Sequence, residues 1–99
     1  MKQRTVGFDR EALDDLDNIE GWIAEERDPM VARVYVQRII AFCRGLEFAS
    51  ERGTRRPELG EGVRSLGFEH RITIVFEVGP LHVSILAVHY GGRDWLPNE

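Results

Sequence analysis

Four side chains in the C-terminal half of the chain, Arg64, Arg71, His89 and Tyr90, have the chemistry that metal-free cleavage of a phosphodiester would need. An imidazole or phenol can take or give a proton, and guanidiniums can hold the charge that develops on phosphate. His89 and Tyr90 are neighbours near the end of an alternating run, and adjacent residues of a strand point to opposite faces. They can serve one site only if the strand has already ended. Other patterns are weaker. The three histidines have no ligand spacing with Cys43, so no metal site is expected. Gly91-Gly92 reads as a bend rather than a phosphate cradle, and no serine or cysteine has a base beside it in sequence. No cofactor is expected.

The elements that must position these residues follow from size and periodicity. Ninety-nine residues and a 42% hydrophobic, 30% charged composition fit a single domain over 1–99. Thr5, Val6 and Phe8 read as a short strand followed by Asp9, a helix N-cap. Ala12, Leu16, Ile19 and Ile23 then make one apolar helical stripe, with Trp22 beside it. Asp28-Pro29 opens a second helix, whose wide apolar band runs from Ala32 through Val36, Ile39, Ile40 and Cys43 to Leu46. Two helices with so short a break form an antiparallel hairpin. Residues 50–62 read as a loop carrying Arg52, Arg55 and Arg56, and the period then becomes alternating. Val63, Leu66 and Phe68 mark one strand, residues 72–78 a second, and residues 82–90 a third after the Gly79-Pro80 turn. The expected fold is α+β, β-α-α-β-β-β, with an antiparallel sheet of about four strands packed against an N-terminal helical hairpin. Both alternating sets of the last two strands contain apolar residues, so part of the second sheet face is expected to be covered as well.

The net charge of −4 is unevenly divided. Residues 9–28 hold nine acids against two bases, a local −7, and the rest of the chain is +3. Twelve of the thirteen basic residues are arginine, suited to planar bidentate contacts. Such a balance disfavours general nucleic-acid binding, which depends on neutralising phosphates. The lone Cys43 reads as a small buried thiol and fits a reducing, cytoplasmic compartment. No leader-type apolar region and no apolar run near the roughly 18 residues of a membrane span is present, so no membrane partner is expected.

Short motifs in a fixed order carry a resemblance. They are Ala12…Leu16…Ile19…Trp22-Ile23-Ala24, Asp28-Pro29…Ala32, Gly53…Arg55-Arg56-Pro57-Glu58-Leu59, Gly62-Val63-Arg64, and Ile85-Leu86-Ala87-Val88-His89-Tyr90-Gly91-Gly92-Arg93-Asp94. Together they resemble the ParE branch of the RelE/ParE toxin superfamily over residues 6–95. The resemblance implies the toxin of a type II toxin–antitoxin pair. Its neutralising partner would be a ParD-like antitoxin with a ribbon-helix-helix domain, forming a hetero-oligomer that meets operator DNA only through the antitoxin. The implied target is DNA gyrase, inhibited without catalysis.

On that reading Arg64, Arg71, Arg93, Asp94 and Trp95 are the target-binding candidates, and Arg33, Val36, Arg38, Ile40 and Arg44 the antitoxin-binding ones. Tryptophan and arginine are the side chains that dominate binding hot spots, and arginines receive acidic residues through paired hydrogen bonds. The alternatives are a RelE-like ribosome-dependent mRNA endonuclease using Arg64, Arg71, His89 and Tyr90, and a toxin-fold module that acts only in operon repression.

Overall fold

The computed structural model describes residues 3–91. Strand β1 (Thr5–Phe8) leads into helices α1 (Arg10–Glu26) and α2 (Pro29–Arg44), and strands β2 (Thr54–Arg55), β3 (Val63–Phe68), β4 (Ile72–Val78) and β5 (His82–Tyr90) follow. α2 starts as its sequence dictates. Asp28 Oδ1 accepts from the amides of Met30 and Val31 at 2.8 and 3.0 Å, and Pro29 occupies the first turn, where no donor is needed. Asp9 also precedes a helix, but its side chain makes no cap; its carbonyl accepts from Leu13 instead.

The stripes meet as expected. Ala12, Leu16, Ile19 and Ile23 of α1 and Ala32, Val36, Ile39 and Cys43 of α2 are buried against Ile72, Ile74, Phe76, Val83, Ile85 and Val88 of the sheet. Each large side chain removed from water here contributes about 1.5–3 kcal/mol. A second, smaller cluster of Val63, Val75 and Ala87, with Leu86 against it, is formed by side chains of the sheet's own strands away from the main core.

The sheet differs from the four antiparallel strands expected. It has five strands in the order β1-β5-β4-β3-β2, and β1 runs parallel to β5, with Thr5 opposite His82 and Phe8 opposite Ile85. The extra strand is β2, two residues long within the 50–62 segment, with Thr54 and Arg55 opposite Ser65 and Arg64. It is pressed closely onto β3. Gly53 has φ 83°, and a Cβ there would run into the Ser65 carbonyl oxygen. β5 also carries a bulge: Val75 pairs with Ala87 and Phe76 with Ile85, so Leu86 is the extra residue.

Two side chains lock this arrangement. Arg4, 8% exposed, donates from Nε to the Gly79 carbonyl at 2.7 Å and from Nη2 to Glu51 at 3.1 Å, tying the N-terminal segment to the β4–β5 turn. Asp15 Oδ2 accepts from the Val88 amide at 2.9 Å, on the stretch of β5 beyond the end of β1. The acidic face of α1 is therefore not solely a solvated one. Asp15→Ala removes the side-chain acceptor of the part-buried Val88 amide and should cost roughly 1–3 kcal/mol in urea unfolding. Asp14→Ala, at an exposed position, should stay within about 0.5 kcal/mol. Equal effects would show that the Asp15 contact contributes nothing.

Candidate functional site

Arg71 and Tyr90 are brought together. Arg71 immediately precedes β4, Tyr90 ends β5 opposite Ile72, and the Gly91 amide donates to the Arg71 carbonyl at 2.9 Å. Both line a cleft of about 380 Å³ beside the turn that joins the two helices, together with Glu26, Arg27, Tyr35 and Glu69. The Tyr90 ring lies 6.2 Å from Trp22 and 6.3 Å from Tyr35, the latter edge-on. The Arg38 guanidinium sits over the Tyr35 ring at 5.9 Å and also pairs with Glu69. Burial, with Tyr90 next, raises the Tyr35 hydroxyl above its ordinary value against the opposing pull of Arg38 and Arg71, so it remains a phenol. The wall at Glu69 is an unusual turn: Glu69 and His70 both take left-handed backbone conformations, at φ 51° and 67°.

His89 and Arg64 lie elsewhere. His89 pairs with Thr73 in the strand ladder, and the alternation that sends Tyr90 toward the helices sends His89 to the opposite face. Arg64 is opposite Phe76 on one side and Arg55 on the other. Along β4 it stands roughly 16 Å from Arg71 at about 3.3 Å per residue. Base, acid and phosphate-holding cations thus do not converge. Cys43 is buried, and desolvation pushes its thiol up to about 12, too high for a nucleophile at neutral pH. Among the described residues, no three His, Cys, Asp or Glu side chains are grouped to hold a metal.

The model of the ParE toxin family of type II toxin–antitoxin systems (parDE) matches residues 6–95. The chain belongs to this family. Its structure is similar to the chromosomal ParDE toxin–antitoxin system from P. aeruginosa, with a TM-score of 0.77 and 27% identity over 89% of this chain and 96% of that one. The fold is also shared with the RelBE2 toxin–antitoxin complex from Mycobacterium tuberculosis, with a TM-score of 0.58 and 20% identity over 90% and 99% of the two chains. A search of curated proteins finds no match.

In this ParE-family toxin the residues expected to meet an antitoxin are divided. Arg33, Arg38 and Arg44 are exposed on α2, with Arg44 also over the Phe8 ring at 5.9 Å. Ile40 is half-buried against the core. Val36, however, is only 6% exposed, because its position in the helical repeat falls on the stripe that packs within the chain. The apolar side chains that α2 presents outward are Met30, Val31 and Val34, which sequence periodicity discounts because they lie off the stripe. Arg93, Asp94 and Trp95 lie outside the described residues. Two functional possibilities were missed in sequence: the placement of Arg55 directly opposite Arg64, hidden inside a segment that reads as loop, and the reach of Asp15 to β5.

Burial lowers the His89 pKa from its ordinary 6.5, while Asp15 and Glu11 pull the other way. The unfolded chain then binds the proton more readily than the folded one, so stability present above pH 6.5 is lost as pH falls through the lower folded value. Urea unfolding midpoints should decline over that window, and His89→Gln should flatten the decline. An unchanged slope in the variant would contradict the assignment.

Proposed function

We propose that this chain is held inactive by a ParD-like ribbon-helix-helix antitoxin encoded beside it, and that, once released in the cytoplasm, it inhibits DNA gyrase by binding. The observation that carries the non-catalytic reading is the dispersal of Arg64, Arg71, His89 and Tyr90 over three places on a ParE-family fold. The likeness to a ParDE system supports an antitoxin of the ParD type. Arg64 and Arg71, with Arg93, Asp94 and Trp95, are the proposed gyrase contacts, and operator DNA is met only through the antitoxin.

For the antitoxin, the outward side chains of α2 form the proposed surface. Met30 is 67% and Val34 52% exposed, one helical turn apart, with Arg33, Arg38 and Arg44 on the same helix. Apolar side chains this exposed suit a partner's apolar face, and the arginines suit its acids.

The shared Arg71–Tyr90 cleft favours a second reading, cleavage of translated mRNA, in which a phenol and a guanidinium act together. Purified chain freed of antitoxin should inhibit gyrase supercoiling, and Arg64→Ala with Arg71→Ala should weaken inhibition at least tenfold. Unimpaired gyrase, combined with new mRNA ends in primer extension that vanish in Tyr90→Phe, would replace the first reading with the second. Induced expression should arrest growth, and coexpression of the neighbouring gene should relieve it; absence of arrest would leave only operon repression. Met30→Glu with Val34→Glu should weaken antitoxin binding at least tenfold, and unaltered affinity would move the antitoxin to another surface.

A further inference from the structure

We infer that the cleft between the 50–62 segment and the start of β3 is a carboxylate-binding site, in which Arg55 and Arg64 together receive two acidic side chains from an extended segment of a peptide partner. Arg55 and Arg64 are direct cross-strand partners in the β2–β3 ladder. Like charges placed opposite each other destabilise a sheet, so the pair costs the isolated chain stability that a bridging anion would return. Both side chains line one cleft of about 370 Å³.

Among the described residues, none of the chain's own acids pairs directly with these two arginines. Glu51 is bound to Arg4 at 3.1 Å, and Glu58 is the partner of Arg56 at 3.8 Å. Among the described residues, neither Arg55 nor Arg64 has a carboxylate at ion-pair distance. Arg64 Nη1 reaches only the Arg52 carbonyl, at 3.4 Å, and the Arg52 guanidinium is itself over the Phe42 ring at 5.7 Å.

The juxtaposition is built into the backbone rather than left to loose side chains. The amide of Arg56 donates to the Val63 carbonyl at 2.8 Å. Gly53 allows β2 to approach β3 more closely than any side chain would permit. Arg56 Nε donates to the Ser65 hydroxyl at 2.8 Å, one position along from Arg64, which holds the two strands together.

The surroundings select the partner. Pro57, Val63 and Val78 give the cleft an apolar lining, and Glu61 adds a carboxylate to it. Glu51 and Glu61 line the same cleft, so a ligand with a negative charge on every unit, such as a run of phosphodiesters, fits less well than one that spaces two carboxylates between apolar groups. An extended peptide alternating apolar and acidic residues sets two carboxylates on one side about 7 Å apart, and guanidiniums bind carboxylates through paired hydrogen bonds. The site needs only a peptide partner, so it goes beyond the choice of gyrase as target and does not depend on it.

The test uses the full chain and a fluorescein-labelled peptide, acetyl-Ser-Leu-Glu-Leu-Glu-Ser-amide, with its Gln-for-Glu counterpart, inorganic phosphate and a twelve-nucleotide oligothymidylate as comparators. The acidic peptide should bind and shift the backbone amide signals of Arg55, Arg64 and Ser65. Affinity should fall at least tenfold in Arg55→Gln and Arg64→Gln, and also for the Gln peptide. In low salt without peptide, Arg55→Gln should melt at a higher temperature than the parent, a gain that a merely structural arginine would not give. Because Arg55 is exposed, its variant keeps the test valid if Arg64→Gln fails to fold. Absence of peptide binding, equal affinity for the Gln peptide, unchanged affinity in Arg55→Gln, a lowered melting temperature in that variant, or tighter binding of phosphate or oligothymidylate at these residues would each overturn the inference.

Discussion

The parallel pairing of β1 with β5 is the constraint on which the rest of the molecule depends. It joins the N-terminal strand to the last one, so the helical hairpin, the 50–62 segment and two antiparallel strands must all be accommodated between Phe8 and His82. Closing so long a loop costs entropy that grows only slowly with its length, and the ladder, the Arg4 contacts and the hairpin over the sheet offset it. The pairing also aims α1. The Asp9 amide donates to the Ile85 carbonyl at 2.9 Å, so the helix starts against β5. α2 returns beside it after the Asp28-Pro29 break, and the two apolar stripes close over Phe76, Ile74 and Ile85.

Much of this was legible in the sequence because it rests on local rules. The stripe of Ala12, Leu16, Ile19 and Ile23, the start of α2 at Asp28-Pro29, and the three strands of the meander all follow from side-chain period and turn chemistry. The direction of β1 was not legible, since a four-residue strand pairs as readily either way and only its remote partner decides. β2 was hidden because two residues carry no period. The Leu86 bulge was hidden for a related reason: it moves Val88 and Tyr90 to the helix-facing side, so a strict period of two carried through the strand places Val88 on the wrong face.

The same contrast holds at the surfaces that matter for function. Residue type alone marks Arg64, Arg71, His89 and Tyr90 as chemically capable, but strand register separates them. Arg71 and Tyr90 share a cleft with Tyr35, and Trp22 lies against the Tyr90 ring; His89 is on the other face, and Arg64 stands beside Arg55 at the far end. The division of charge read from composition is sharpened in a similar way. The acidic first helix contributes one carboxylate, Asp15, to the sheet, while Arg33, Arg38 and Arg44 are exposed on α2, Arg52 stacks on Phe42 of that helix, and Arg55 and Arg64 line a cleft of their own.

The contact between Asp15 and Val88 has a bearing on how this chain avoids its own kind. β1 covers β5 only as far as Ile85, so the residues after it would present an open sheet border to any passing extended segment. A carboxylate planted on that border occupies the Val88 donor and meets an incoming carbonyl with like polarity. A foreign strand could pair there only after dislodging Asp15 from the first helix. The helix thus serves as a guard against fibril-like stacking, a safeguard of value to a small domain with a strand of only two residues at its other border.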